Sequence, residues 1–354
     1  MHHHPGGSVL DDAGAVLVAK LSLGALAWGD VWYGEKTRNP WNTEQGSSGS
    51  SAGPGSATAA GLVGFSFGSE TWGSIVSPST WFGRSGLRPT FGRVSRHGAM
   101  ALSWSMDKLG PMCRSVEDCA LVFGAIQGAD GLDLSAIERP FVWDAKFDVK
   151  QLRVGYLASA FEREPEFDEG ATEAERARER EWMAADLQSL EVVRSMGIEL
   201  IPIELPDLPV NALSFILSAE AGAAFDELTR SGADDLLVRQ IENAWPNVFR
   251  QARTIPAVEY IQANRVRTLV MREMERTLQG VDCWLAPSFG GDNLLLTNLT
   301  GHPAVVLPNG FAGDGTPTSV TFNGRLFGES EILALARAYQ EATGFHNRHP
   351  EAFR

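Results

Sequence analysis

Residues 46–74 read GSSGSSAGPGSATAAGLVGFSFGSETWGS, and the fold turns on whether this stretch is a tether or a packed segment. Composition alone describes a flexible Gly/Ser linker. A linker separates two independent cores, whereas here the small-residue tracts alternate with segments of buried character. Ala57 to Val63 has helical composition, Gly64 to Gly68 has the look of a strand, and Gly68 to Ser74 is another small-residue turn. Such alternation is the pattern of loops that line a site on a rigid scaffold.

Working outward, Ala15 to Ala19 is a short Val-rich apolar run ending at Lys20 and reads as a buried strand. Tyr33 to Gln45 lacks periodicity and contains Asn39-Pro40-Trp41-Asn42, which is loop chemistry. Ser115 to Ile126 reads as a helix with Ser115 as N-cap, Glu117 and Asp118 in the first turn, and Gly128 beyond its end. Gly128 to Val142 is a polar connection, and Leu152 to Leu157 alternates like a strand. Thr172 to Met196 is a charged helix closed by Gly197, and its acidic approach from Glu162 to Glu169 reads as a solvated face. Further strands are predicted at Glu199–Leu205, Val281–Ala286, Pro303–Leu307 and Thr318–Phe322. Further helices fall at 211–230, 235–250, 257–279 and Ser330–Thr343, the last capped by Glu329 or Ser330. Interleaved strands and helices predict an α/β fold, a mixed β-sheet core covered by helices. One domain over residues 1–354 is expected, with the mostly helical 145–280 as a lobe over the sheet.

The chain has 354 residues, with 30 Lys and Arg against 44 Asp and Glu, a net charge of −14. That balance argues against a broad nucleic-acid or anionic-membrane surface, because phosphate binding needs clustered Lys and Arg. No run of about 18 apolar residues occurs, and no long apolar stretch follows Met1-His2-His3-His4-Pro5, so neither a membrane span nor a signal peptide is expected. The His2–His4 run is assigned no function. Cys113, Cys119 and Cys283 share no metal-ligand spacing and read as reduced thiols in a cytoplasm. His97 and His302 are too isolated in sequence to support a metal-dependent hydrolase. No metal or cofactor is expected, and the partner is a small-molecule substrate.

A serine between small residues at a tight turn can act as a nucleophile, because nearby backbone N–H groups are free to point at a developing oxyanion. Ser74 in Thr71-Trp72-Gly73-Ser74-Ile75 fits that description. A lone Gly-Ser is a weak signal, and a turn serine that bonds its own backbone is the bland alternative. The case rests on a longer pattern: Gly49-Ser50-Ser51-Ala52-Gly53, Ala59-Ala60-Gly61-Leu62-Val63, and Gly68-Ser69-Glu70-Thr71-Trp72-Gly73-Ser74. Asn39-Pro40-Trp41 precedes these. Gly86-Leu87-Arg88-Pro89-Thr90-Phe91-Gly92-Arg93-Val94-Ser95, Asp107-Lys108-Leu109-Gly110-Pro111 and Asn298-Leu299-Thr300-Gly301-His302-Pro303-Ala304 follow.

In these motifs and their order the chain resembles the amidase signature family of serine hydrolases, most weakly between about 130 and 280. The resemblance implies a serine, cis-serine and lysine apparatus. Its nucleophile falls on Ser74 and its cis-serine on Ser50, 24 positions earlier, flanked by Gly49 and Ser51 as supporting residues. Ser47 and Ser48 lie too far upstream for that spacing. The backbone N–H groups of Thr71, Trp72, Gly73 and Ser74 would form the oxyanion hole. Asp107 and Arg114 match the family as loop-holding residues. Trp72 stands where the family has glycine, so a narrowed pocket or an aromatic wall is expected.

The lysine has no counterpart. Lys20 closes Gly14-Ala15-Val16-Leu17, which matches a different family position, and reads as a strand-end lysine reaching solvent. The expectation is a chain short at its N-terminal end, lacking the elements that would carry the lysine. Serine needs a base at neutral pH, and losing one costs about 10²–10⁴ in rate. Amides suffer most because their leaving amine must be protonated. A weak serine hydrolase biased toward activated carboxylic esters or organophosphate triesters follows, with a homodimer expected from exposed apolar surface. A catalytically inactive small-molecule binding protein is the alternative.

Overall fold

Two segments, Cys283–Pro287 and Pro317–Gly324, bury every residue along their length, so both of their faces are covered and they lie inside a sheet. A computed structural model describes residues 7–165, 167 and 170–353. The His2–His4 run and residues 166, 168 and 169 of the acidic approach lie outside the described residues. The sheet has eight strands: β1 Phe65–Glu70, β2 Ser85–Arg88, β3 Lys108–Cys113, β4 Val154–Leu157, β5 Leu200–Ile203, β6 Cys283–Pro287, β7 Ala304–Phe311 and β8 Pro317–Gly324. Their spatial order is β1-β3-β2-β7-β8-β6-β4-β5. The β6–β4 and β4–β5 pairs are parallel and the others antiparallel, so the sheet is mixed, as expected.

Eight helices matter here: α1 Ala52–Ala59, α2 Val76–Phe82, α3 Val116–Ile126, α4 Glu173–Ser195, α5 Phe215–Ala224, α6 Ala257–Thr277, α7 Asn293–Thr300 and α8 Glu329–Thr343. The main core joins Val116, Cys119 and Phe123 of α3 and Ile332, Leu335 and Tyr339 of α8 to Val305, Leu307 and Phe322 of the sheet. A second cluster ties Ile216 of α5 and Val270 and Met274 of α6 to Trp284 of β6 and Leu296 of α7. Side-chain caps begin two of the helices, and the one at Ser115 is the cap the sequence predicts. The Ser115 hydroxyl accepts from the Asp118 N–H at 3.1 Å, and Thr172 and Glu175 form a reciprocal capping box before α4.

Register places the site. Glu70 pairs with Lys108, Gly86 with Met112, and Arg88 with Ala304. The ends of β1 and β2 therefore meet the starts of β3 and β7 along one edge of the sheet.

Several expectations are corrected. Ala15–Ala19 is not a buried strand: it joins no sheet among the described residues, and Val16, Leu17 and Val18 are 80, 78 and 68% exposed. Apolar composition supplies strand propensity, but a strand forms only against a neighbour's free edge. Residues 46–61 are no linker, in keeping with their alternation with buried segments. The helix runs over Ala52–Ala59 rather than 57–63, and its small residues let it pack so closely that a Cβ on Gly55 would overlap the Phe82 ring. Tyr33–Gln45 holds short antiparallel pairings of Arg38–Asn39 with Asn42–Gly46. The 211–230 helix breaks at Phe225, whose backbone leaves the helical region. The 235–250 helix is instead Trp245–Ala252, and α8 is capped by Gly328. The three cysteines are buried free thiols.

Asp186 of α4 is buried and accepts one hydrogen bond from the Asn309 amide at 3.1 Å. Burial pushes its pKa up to about 7, against the pull of Asn309 and Arg163. Its folded-state pKa thus exceeds the ordinary 3.8, so ionising it opposes folding, and the penalty grows as pH rises from about 4 to 7. Asp186→Asn is expected to leave stability nearly unchanged at pH 4.5 and to raise it by roughly 2 kcal/mol at pH 8. Urea titrations at the two pH values measure this; an equal effect at both contradicts it.

Candidate active site

The chain leaves β1 at Glu70, turns through Thr71 to Ile75, and enters α2 at Val76. A short turn feeding directly into a helix must satisfy the first helical N–H groups, and here a carboxylate does so. Glu70 is fully buried. Its Oε2 accepts from the Ile75 and Val76 N–H groups at 2.7 and 2.9 Å. Its Oε1 accepts from Arg88 Nη1 and Asn298 Nδ2, both at 2.8 Å. Burial alone raises a carboxyl pKa, but Arg88 and the Val76 N–H hold that of Glu70 below its ordinary value. Arg88 in turn donates to the His302 carbonyl at 3.0 Å. One carboxylate therefore locks the turn to β2 and α7.

Within the turn, Gly73 has φ +87°, and a Cβ there would sit 3.2 Å from Leu294. Only glycine fits that backbone without strain. Thr71 Oγ1 donates to Asp107 Oδ1 at 2.5 Å, while Asp107 Oδ2 accepts from the Leu102 and Ser103 N–H groups at 2.8 and 2.9 Å. Asp107 holds a loop, as expected. Burial keeps its carboxyl pKa above the ordinary value despite the Thr71 and backbone bonds. With Ile75 and Val76 engaged by Glu70, the four N–H groups of Thr71, Trp72, Gly73 and Ser74 donate no hydrogen bond among the described residues. Trp72 is 44% exposed, so its ring lies partly in solvent.

Ser50 reaches this turn through a separate clasp. The Gly49–Ser50 peptide is cis. The Ser51 hydroxyl donates to the Ser69 carbonyl and accepts from the Ser69 N–H, at 3.2 and 3.1 Å. The Ser51 N–H donates to the Ser74 carbonyl at 3.2 Å. These bonds place Ser50, Ser51 and Ser74 together at the end of β1. Behind them, a Cβ on Gly49 would overlap the Gly29 carbonyl, and the Gly24 N–H donates to the Ser50 carbonyl at 3.0 Å. Ser50 and Ser74 are both buried, and Ser50 Oγ has no hydrogen-bond partner among the described residues.

No lysine bonds either hydroxyl among the described residues. Lys20 is exposed. Lys36 is half exposed and 3.9 Å from Asp30. Lys108 is buried but donates to the Met106 carbonyl; burial and Arg88 push its pKa well down. His302 is a buried neighbour of Thr300, whose hydroxyl lies 2.7 Å from Nδ1, and burial lowers its pKa to about 3. His97 and Arg114 are exposed. Among the described residues no three His, Cys, Asp or Glu side chains gather as a metal site, and no helix is long and apolar enough to cross a membrane.

Sequence reasoning missed Glu70 and Asn298 as site-holding groups. A carboxylate five and six positions before two adjacent helix-start N–H groups was the available signal for Glu70.

Comparison with known proteins finds that the family profile described as Amidase matches residues 8–333. A glutamyl-tRNA(Gln) amidotransferase subunit of Roseiflexus castenholzii is 32% identical over 391 aligned residues, covering 97% of this chain and 76% of that protein. Its counterpart in Geobacter metallireducens is 32% identical over 387, covering 96% and 77%. Among solved structures, the peptide amidase of Stenotrophomonas maltophilia superposes with a TM-score of 0.78 at 26% identity, covering 96% of this chain and 76% of that one.

Glu70→Gln keeps shape but removes one acceptor and leaves Arg88 without its buried counter-charge. Breaking such a pair costs about 3–5 kcal/mol. Urea denaturation followed by tryptophan fluorescence is expected to show a loss in that range. A change below about 1 kcal/mol contradicts the proposed load on Glu70.

Proposed function

The chain belongs to the amidase family of hydrolases, and from that premise we propose that Ser74 is its nucleophile, acting on small-molecule acyl compounds. The observation that carries this reading is the run of four unengaged N–H groups, Thr71 to Ser74, beside the Ser74 side chain. Donors already fixed in place stabilise a tetrahedral oxyanion without reorganising, and each is worth about 10²–10³ in rate. Ser74 Oγ attacks the acyl carbon, and its proton passes to Ser50 Oγ, which gives up its own proton to solvent water. The intermediate then expels the leaving group, and water hydrolyses the Ser74 acyl ester by the reverse relay. Gly49 and Ser51 support the relay by holding the Ser50 backbone.

The finer substrate preference rests on the partnerless Ser50 hydroxyl. Without a basic side chain bonded to Ser50, proton removal from Ser74 is slow and nothing is poised to protonate a departing amine. An activated carboxylic ester expels a stable phenolate and escapes the second difficulty. Organophosphate triesters with phenolic leaving groups share that advantage. We therefore favour activated esters over amides. The exposed Val16–Val18 run also supports a homodimer, which light scattering tests: a dimer mass is expected, and a monomer at high concentration contradicts it.

Turnover of p-nitrophenyl acetate and of p-nitroacetanilide decides the catalytic reading. The ester is expected to be hydrolysed at least about 10³ times more efficiently than the anilide. Ser74→Ala is expected to lower ester turnover by about 10³ or more, and Ser50→Ala by about 10–10². Undiminished turnover in Ser74→Ala excludes it as nucleophile. Ligand binding without any Ser74-dependent turnover points to a binding protein instead.

A further inference from the structure

Arg84 sits between α2 and β2, at the end of the sheet remote from Glu70, and is completely buried. The described residues contain three other buried arginines, each compensated. Arg88 lies 2.8 Å from Glu70, and Arg93 3.7 Å from Glu329. Arg267 donates to the Leu299 and Ser105 carbonyls and the Ser105 hydroxyl, with Glu220 in electrostatic reach. Arg84 differs. It makes one hydrogen bond, from Nη2 to the Arg348 carbonyl at 3.0 Å, and no carboxylate of the described residues comes within 4 Å. Its Nε and Nη1 are buried and without partners among the described residues.

The neighbouring Arg114 adds positive charge instead of relieving it. Arg114 is exposed just past the end of β3, and burial together with Arg84 lowers the pKa of His346 in the C-terminal segment. His346 Nδ1 is also buried and has no partner among the described residues. Glu341, the carboxylate that His346 senses, is largely exposed and bridges to Arg337 at 2.8 Å. Burial, then Arg114, lowers the Arg84 pKa to about 10, so the guanidinium remains charged near neutral pH. An uncompensated buried cation is among the costliest features a fold can hold. Ser85 pairs with Cys113 across β2 and β3, which sets the flanking Arg84 and Arg114 on neighbouring strands, and the Arg348 carbonyl that Arg84 bonds follows His346 by two residues.

We propose that Arg84, His346 and Arg114 form a binding site for one small inorganic oxyanion of the phosphate or sulfate class. Arg84 supplies the buried charge and guanidinium N–H donors, His346 donates through Nδ1–H as the neutral tautomer, and Arg114 draws the ion from solvent. The Arg348 carbonyl on Arg84 ties the C-terminal segment over the site. A tetrahedral oxyanion suits donors arriving from several directions, whereas a planar carboxylate satisfies one guanidinium edge. The site is separate from the Ser50–Ser74 turn, and its fate does not depend on the catalytic reading.

The test is thermal melting of the full chain at pH 7.5 in increasing sodium phosphate, with ionic strength held constant by sodium chloride and sodium acetate as a carboxylate control. Wild type is expected to gain about 2 °C at ten times the dissociation constant, saturably, and to ignore acetate. Arg84→Met is expected to melt no lower than wild type without phosphate and to show no response. Arg114→Ala, an exposed change that does not threaten folding, is expected to weaken half-saturation several-fold with little effect on the phosphate-free melting point. The proposal is overturned if wild type does not respond, if Arg84→Met and Arg114→Ala respond as wild type does, or if acetate serves equally well. It is also overturned if Arg84→Met melts well below wild type without phosphate, since the charge is then satisfied within the protein.

Discussion

The arrangement around the Thr71–Ser74 turn hangs on the Glu70 carboxylate. Four donors from three separate elements converge on its two oxygens: two backbone N–H groups of the turn into α2, the guanidinium of β2 and the amide of α7. A buried carboxylate is tolerable only when fully bonded and paired, and this one is both. Because it consumes the N–H groups of Ile75 and Val76, it also fixes where the helix begins. The four preceding N–H groups have no partner among the described residues, which is the arrangement an oxyanion requires.

Around that turn, each half of the proposed relay is held by backbone clasping. Ser51 bonds both polar groups of Ser69 and the Ser74 carbonyl, while Thr71 is tied through Asp107 to the 102–103 loop. The scaffold is thus built to hold geometry, yet the Ser50 hydroxyl has no basic partner among the described residues. Electrostatic stabilisation and nucleophile placement survive that arrangement better than proton transfer does. The proposed preference for good leaving groups rests on this imbalance.

Much of the fold was legible because its signals are local. The Ser115 cap and the Gly197 helix stop are read within one or two turns of chain, and buried strands such as β6 are continuous apolar runs. The 46–61 tract was legible only in context, since small residues serve a tether and a tightly packed helix equally well. Val16–Val18 misled because strand propensity says nothing about whether a free sheet edge exists. Glu70 was read as one turn residue among several. Its partners Arg88 and Asn298 lie 18 and 228 positions away, a distance no local pattern spans. The proposed roles of Ser50 and Ser74 came from ordered motifs, not from any single residue's chemistry.

Covalent labelling tests the central claim most directly. A fluorophosphonate probe transfers its phosphonyl group to an activated serine and expels fluoride, and peptide mass spectrometry then locates the adduct. The account predicts one adduct, on Ser74, whose formation slows in Ser50→Ala and is lost in Ser74→Ala. An adduct on another serine, or none at reagent concentrations that label ordinary serine hydrolases, would contradict it.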